Sequence, residues 1–64
     1  SRDSNKEKRR FLDIARSSLS EARTQIYIGI EIGYLSNDIG SIWVAETKEL
    51  EAMLCGLKNS IESI

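Results

Sequence analysis

One run of ten residues constrains the fold of this chain more than any other, because it is the most apolar stretch and fits two secondary structures. Residues 26–35 have the sequence IYIGIEIGYL. The isoleucines alternate as in a strand, and β-branched residues favour strands. The run also continues a helical spacing of small and apolar residues that ends at Gly33, where a helix C-cap is expected. Because no second segment offers a matching alternation to pair with a strand, the sequence predicts a helix.

This helix places several large apolar residues outside its own core seam. The predicted seam consists of Leu12, Ala15, Leu19, Ala22, Ile26 and Gly29. The remaining isoleucines of the run make the last two turns apolar nearly all round, and such a helix end must be covered from several sides. One neighbouring helix covers only one side, so the sequence predicts an assembly larger than a single chain. We expect the oligomer interface to include Phe11, Ile28, Ile30, Ile32 and Trp43.

Length and composition limit the chain to one small domain without a metal centre. A chain of 64 residues buries only about 60% of its unfolded surface even when compact. Cys55 is the single cysteine and histidine is absent, so a disulfide framework is excluded and the commonest metal ligands are missing. No apolar run reaches the roughly 18 residues of a membrane span. We expect no cofactor, no metal, no membrane partner and a cytoplasmic location.

Local signals predict two helices joined by a short link. Ser4 and Glu7 have the spacing of a capping box, which predicts a first helix over about residues 4–32. Gly33 can adopt the left-handed conformation that ends it, and Ser36 or Asn37 can cap the next helix. A link over residues 33–36 is short, and short links place helices side by side and antiparallel. Tyr34 and Leu35 are expected to pack the link against the helices.

The second helix is predicted over about residues 37–63, with apolar residues at helical spacing. They are Ile39, Ile42, Trp43, Leu50, Met53, Leu54, Leu57, Ile61 and Ile64. Glu46 occupies a position where this stripe requires an apolar residue. Either the stripe shifts there, or the carboxylate faces a basic partner. Gly56 is a candidate for close helix approach.

Charge is unevenly distributed between the two helices, although the net charge is only −1. Residues 1–25 carry seven basic and four acidic residues, whereas residues 26–64 carry two basic and six acidic ones. Four arginines recur every seven residues beside the first seam, at Arg2, Arg9, Arg16 and Arg23. They can pair with Glu46, Glu49 or Glu51 on the facing helix. Alternatively they form part of a phosphate-binding edge, whose expected residues are Lys6, Lys8, Arg9, Arg10, Arg16 and Arg23.

No constellation of catalytic residues is recognisable in the sequence. Di-iron helical bundles require histidine together with glutamate, so that site is excluded. Cys55 has no histidine partner, and a lone helical cysteine is more often inert packing. The four glycines do not have the spacing of a phosphate loop. The sequence therefore predicts a protein that is not an enzyme.

Two segments resemble a known family. Residues 6–36, KEKRRFLDIARSSLSEARTQIYIGIEIGYLS, resemble the bacterial four-helix-bundle proteins encoded in intervening sequences of large-subunit ribosomal RNA genes. Residues 49–61, ELEAMLCGLKNSI, are similar to the last helix of that family. The matching positions are Phe11, Leu12, Ile14, Ala15, Ser18, Leu19, Glu21, Gly33, Tyr34 and Leu35. The sequence departs from the family at Ala22, Arg23 and Ile30. The resemblance covers the C-terminal half of the family bundle, and its two preceding helices are absent here.

The resemblance implies a small cytoplasmic four-helix-bundle protein without enzymatic activity. The family is similar to the accessory subunit of diversity-generating retroelements, which implies a pentamer that binds nucleic acid and a reverse transcriptase. We therefore expect an all-α antiparallel helical hairpin that completes a four-helix bundle with other chains or with the missing N-terminal helices. The expected function is that of a homo-oligomer that binds RNA or a nucleoprotein. The alternative is a purely structural oligomerisation module.

Overall fold

The computed structural model describes residues 2–62, which form two antiparallel α-helices joined by a short turn. Helix α1 spans Arg2–Glu31 and helix α2 spans Asn37–Glu62. The hairpin is 48 Å long and only 15 Å by 9 Å across. The ambiguous run from residue 26 is helical through Glu31, which confirms the helical prediction and the all-α fold class.

The helix ends differ slightly from the predicted ends. Helix α1 begins at Arg2, so Ser4 lies within its first turn and the start predicted from the Ser4–Glu7 pair is two residues late. Helix α2 reaches Glu62. Its predicted last residue, Ser63, and the apolar position Ile64 lie outside the described residues, as does the side chain of Arg2.

The turn closes with a pattern of hydrogen bonds that satisfies the last carbonyl groups of α1. Gly33 has a φ of 83°, and its N–H donates to the carbonyl oxygen of Ile30 at 3.1 Å. The N–H of Tyr34 donates to the carbonyl oxygen of Gly29 at 2.8 Å. Together these are the two bonds of a Schellman motif. The structure thus confirms the predicted role of Gly33 as the C-cap.

The start of α2 is fixed by Ser36. Its Oγ accepts a hydrogen bond from the N–H of Ile39 at 3.2 Å, so Ser36 rather than Asn37 is the N-cap. Leu35 lies over Gly29, where an added Cβ would be 3.1 Å from Leu35 Cδ1. Tyr34, in contrast, is 84% exposed. The prediction that both residues pack the link against the helices is therefore correct for Leu35 and wrong for Tyr34.

The helices meet along a different stripe of α2 from the one that its apolar residues predict. The α2 residues buried against α1 are Gly40, Val44 and Thr47, and Glu51 and Leu54 continue this spacing as half-buried residues. The predicted stripe lies beside it, and six of its members are exposed: Ile39, Ile42, Trp43, Leu50, Met53 and Leu57. For Glu46, the sequence left open a shift of the stripe or a carboxylate that faces a basic partner. The stripe shifts, because Thr47 takes the seam position and Glu46 is exposed.

Close approach of the helices occurs at Gly40 rather than at Gly56. A Cβ on Gly40 would overlap the side chain of Ile30, whereas a Cβ on Gly56 would meet nothing within 4 Å. Ile30 therefore lies in the seam between α1 and α2. This corrects its predicted position outside the seam.

Candidate functional site

Four basic residues cluster near the start of α1, at the open end of the hairpin. Lys6, Lys8 and Arg10 are exposed, and Arg9 is half-buried. Lys6 and Arg10 are four residues apart, so they lie one above the other on one face of the helix. This cluster contains four of the six residues predicted to bind nucleic acid.

The other two predicted residues point into the seam. The Nε–H of Arg23 donates to Thr47 Oγ1 at 3.0 Å, and its Nη2 donates to Glu51 Oε1 at 3.1 Å. The two charged side chains are only 18% and 30% exposed. The predicted pairing of an arginine with Glu51 on the facing helix is thus confirmed at Arg23, whose guanidinium is already engaged within the chain.

Arg16 is half-buried two turns before Arg23. Its Nε is buried and makes no hydrogen bond with any described residue. A shallow polar depression surrounds it, lined by Asp13, Ser17, Ser20 and Glu51. Because two carboxylates border this depression, it is a poor place for an added phosphate.

A second ion pair joins the helices at the open end. Lys58 Nζ donates to Asp13 Oδ1 at 2.7 Å. This hydrogen bond, with smaller contributions from the charges of Lys58, Arg16 and Arg9, holds the pKa of Asp13 below its usual value. This ion pair was not predicted from the sequence. The sequence does contain a signal for it, because Asp13 is an acidic residue in the more basic helix and Lys58 is a basic residue in the more acidic one.

One side of the seam is an apolar groove. Its volume is about 520 Å³, and its walls are almost entirely carbon. Helix α1 lines it with Ala15, Ser18, Leu19 and Ala22, and helix α2 lines it with Leu50, Met53, Leu54 and Leu57. The sequence predicted several of these residues as core. In the hairpin alone, the groove is open to solvent.

Four of the five predicted oligomer-interface residues are exposed in the single chain. Phe11 is 69% exposed and Trp43 is 44% exposed, and both continue the stripes that line the apolar groove. Ile28 and Ile32 are 53% and 58% exposed near the turn. Ile30 differs, because it packs on Gly40 within the chain.

Two further classes of site are absent from residues 2–62. No cluster of three or more acidic or cysteine side chains could hold a metal ion. Neither helix is long and apolar enough to cross a membrane. The described surface therefore has two candidate binding features, the basic cluster at the start of α1 and the apolar groove between the helices.

Comparison with known proteins identifies the family. The sequence model of the family described as 23S rRNA-intervening sequence protein matches residues 1–56. The chain belongs to this family. The match includes α1, the turn and most of α2, and so covers both the basic cluster and most of the apolar groove. No curated protein and no solved structure matches the chain. The similarity to the retroelement accessory subunit stays a prediction.

Proposed function

We propose that this member of the 23S rRNA-intervening sequence family is an oligomeric helical-bundle protein that binds RNA, free or within a nucleoprotein. The observation that carries the RNA part is the concentration of Lys6, Lys8, Arg9 and Arg10 at the open end of a chain with a net charge of −1. RNA would contact this end of α1 through its phosphates.

The distribution of charge over the rest of the chain supports an RNA contact at the start of α1. Residues 24–47 contain three acidic residues and no basic one, so the turn end would repel a phosphate backbone. Arg23 is already held by Glu51, and Arg16 lies beside two carboxylates. We therefore limit the proposed RNA contact to the four residues at the start of α1. Such contacts position a protein on RNA without selecting a sequence.

The exposed apolar residues support the oligomeric part of the proposal. Phe11, Ile32, Trp43 and Met53 are each at least 44% exposed, and the groove between the helices is open. A monomer would leave this surface in water, at a free-energy cost of about 25 cal/mol for each Å² of apolar area. Other chains would cover it by completing a helical bundle. Sedimentation at micromolar concentration should therefore show an assembly, and a folded helical monomer would contradict this.

The RNA proposal can be tested with Arg10→Ala and a matched control. Arg10→Ala should weaken binding about equally for unrelated RNA sequences, and it should reduce the slope of log affinity against log salt by roughly 0.7–0.9. Lys48→Ala removes the same charge from an exposed position on α2 and should leave both quantities unchanged. If the two substitutions weaken RNA binding equally, the contact is not confined to the basic cluster at the start of α1.

The alternative function is that of a structural oligomerisation module. One observation favours it, because Arg23 contributes to holding the hairpin together. Under this alternative, labelled RNA would show no salt-dependent shift even at low salt, while the chain would still assemble.

A further inference from the structure

The polar depression around Arg16 is separate from both the basic cluster and the apolar groove. Its volume is about 300 Å³, and it shares no lining residue with the groove. At 3.6 residues per turn, Arg16 and the groove residue Ser18 project from nearly opposite sides of α1. The depression is therefore a surface feature of its own, on the other side of the seam.

Arg16 brings an unused cation to this depression. Its Nε is buried, and its guanidinium makes no hydrogen bond or ion pair with any described residue. A buried donor without an acceptor is uncommon in proteins and requires an explanation. Burial of Nε also restricts the motion of the guanidinium, so its two terminal nitrogens would lose little freedom on binding a ligand. A planar guanidinium binds a carboxylate through two parallel hydrogen bonds.

The two carboxylates at the depression are each engaged through one oxygen. Lys58 Nζ donates to Asp13 Oδ1, and Arg23 Nη2 donates to Glu51 Oε1. Because these two pairs neutralise each other's charges, the positive charge of Arg16 is the one left over. The second oxygen of each carboxylate makes no hydrogen bond with a described residue and can accept one. The depression thus offers a cationic donor beside two anionic acceptors.

We propose that the depression binds a small zwitterion, an α-amino acid, with its carboxylate on Arg16 and its ammonium group beside the free oxygens of Asp13 and Glu51. The hydroxyl groups of Ser17 and Ser20, which also line the depression, can donate to the carboxylate or accept from the ammonium group. This site does not depend on the RNA contact or on the oligomer proposed above.

The charges of the depression favour a zwitterion over simpler ions. A phosphate would bring additional negative charge towards two carboxylates, and a carboxylate alone would face them without compensation. An amine alone would approach the unpaired charge of Arg16. A molecule that carries both groups places each one beside its opposite charge, and complementary charges of this kind determine specificity.

NMR titration with glycine, the smallest α-amino acid, tests the proposal on the 15N-labelled 64-residue chain without nucleic acid. Glycine should cause saturable shifts in the backbone amides of residues 13–20 and of Glu51. The expected dissociation constant is in the millimolar range, because the ligand has few atoms. Acetate and methylammonium each make only part of these contacts and should bind about tenfold more weakly. Phosphate should cause no saturable shift at these residues.

Two substitutions separate the roles of the charged groups. Arg16→Gln should weaken glycine binding by about tenfold. Lys48→Gln is the matched control, because it removes the same charge from an exposed residue that does not line the depression, and it should leave glycine binding unchanged. Asp13→Asn should reduce the preference for glycine over acetate, because it removes an anionic acceptor of the ammonium group. If Arg16→Gln does not fold, Arg16→Lys keeps the charge without the paired nitrogens and should still weaken binding about threefold.

Several results would overturn the zwitterion site. They are the lack of a saturable shift with glycine, equal binding of acetate or phosphate to the wild type, and unchanged glycine affinity in a folded Arg16 variant. Shifts confined to residues of the apolar groove would likewise contradict it. RNA affinity and assembly are measured separately, so the failure of this site would leave the proposed function as it stands, and the reverse also holds.

Discussion

The two halves of the hairpin are held together by different kinds of contact. In the turn half, residues 23–47, the helices approach so closely that Ile30 fills the space above Gly40, and Val44 and Thr47 are buried. In the open half, residues 2–22 and 48–62, Leu12 is the buried apolar residue and Lys58 is joined to Asp13 by an exposed ion pair. Close packing and a capped turn should make the turn half the more stable one.

This difference indicates where the proposed oligomer would gain the most stability from a partner chain. Surface ion pairs are worth only about 0–1 kcal/mol, so the open half has weak support of its own. The apolar groove begins in this half, between Ala15 and Leu57. A second chain in the groove would therefore stabilise the half that the hairpin stabilises least. If the comparison is correct, substitutions in the turn half should cost more stability than substitutions in the open half.

The largest effect is expected from Gly40→Val. Its side chain would occupy the space of Ile30, and overpacking of this kind costs about 1–3 kcal/mol. We expect a loss near 3 kcal/mol in the free energy of unfolding, measured by urea denaturation at fixed protein concentration. Gly56→Ala is the control, because nothing lies within 4 Å of an added Cβ. It should stabilise α2 by up to about 1 kcal/mol. Equal destabilisation by both would contradict close packing at Gly40.

Gly33→Val should have the next largest effect. Gly33 has a φ of 83°, a conformation that costs an L-residue about 1–2 kcal/mol and a β-branched one more. We expect a loss of about 2 kcal/mol in thermal unfolding followed by circular dichroism. Gly33→Asn should lose less, because asparagine tolerates the left-handed region. If valine and asparagine are equivalent, the backbone conformation is not what limits this position.

Arg23→Ala should destabilise the chain by about 1 kcal/mol. It removes two hydrogen bonds to α2, at 3.0 Å and 3.1 Å, from a partly buried site at the boundary of the two halves. Arg10→Ala removes an exposed arginine from the same helix and should change the stability by less than about 0.5 kcal/mol. Chemical denaturation of the two variants in parallel provides the comparison. An identical loss would show that charge alone, rather than the contact with Thr47 and Glu51, is responsible.

The smallest effect is expected from Asp13→Asn, and it should depend on pH. The hydrogen bond from Lys58 lowers the pKa of Asp13 in the folded chain. The contact therefore contributes stability above the ordinary carboxyl pKa, and this contribution disappears as pH falls through the lower folded pKa. Denaturation midpoints at pH 7 and pH 2 should differ slightly less in Asp13→Asn than in the wild type. Glu21→Gln, at an exposed position on α1, should preserve the wild-type difference.

Much of the fold could be predicted from the sequence because its strongest signals are local. The capacity of Gly33 for a left-handed conformation and the capping oxygen of Ser36 depend on a few neighbouring residues, and both take their predicted roles. The family resemblance was also visible in the motif residues. The start of α1 was placed two residues late, because a capping pattern such as Ser4–Glu7 can also occur inside a helix. The proposed RNA contact and the oligomer are not decided by these local signals.

Local signals in the sequence are sufficient to predict two helices, the turn that joins them and their antiparallel arrangement. Which stripe of α2 meets α1 depends instead on how the two helices pack. Two stripes with the same spacing run side by side on α2, one through Val44 and Thr47 and the other through Trp43 and Leu50. Apolarity favours the second stripe, but close approach requires a position without a side chain, and Gly40 provides it in the first. Arg23 then finds its partners at Thr47 and Glu51. The more apolar stripe therefore remains on the surface. The local sequence does not reveal this outcome, because the space between two backbones depends on residues that are distant in the chain.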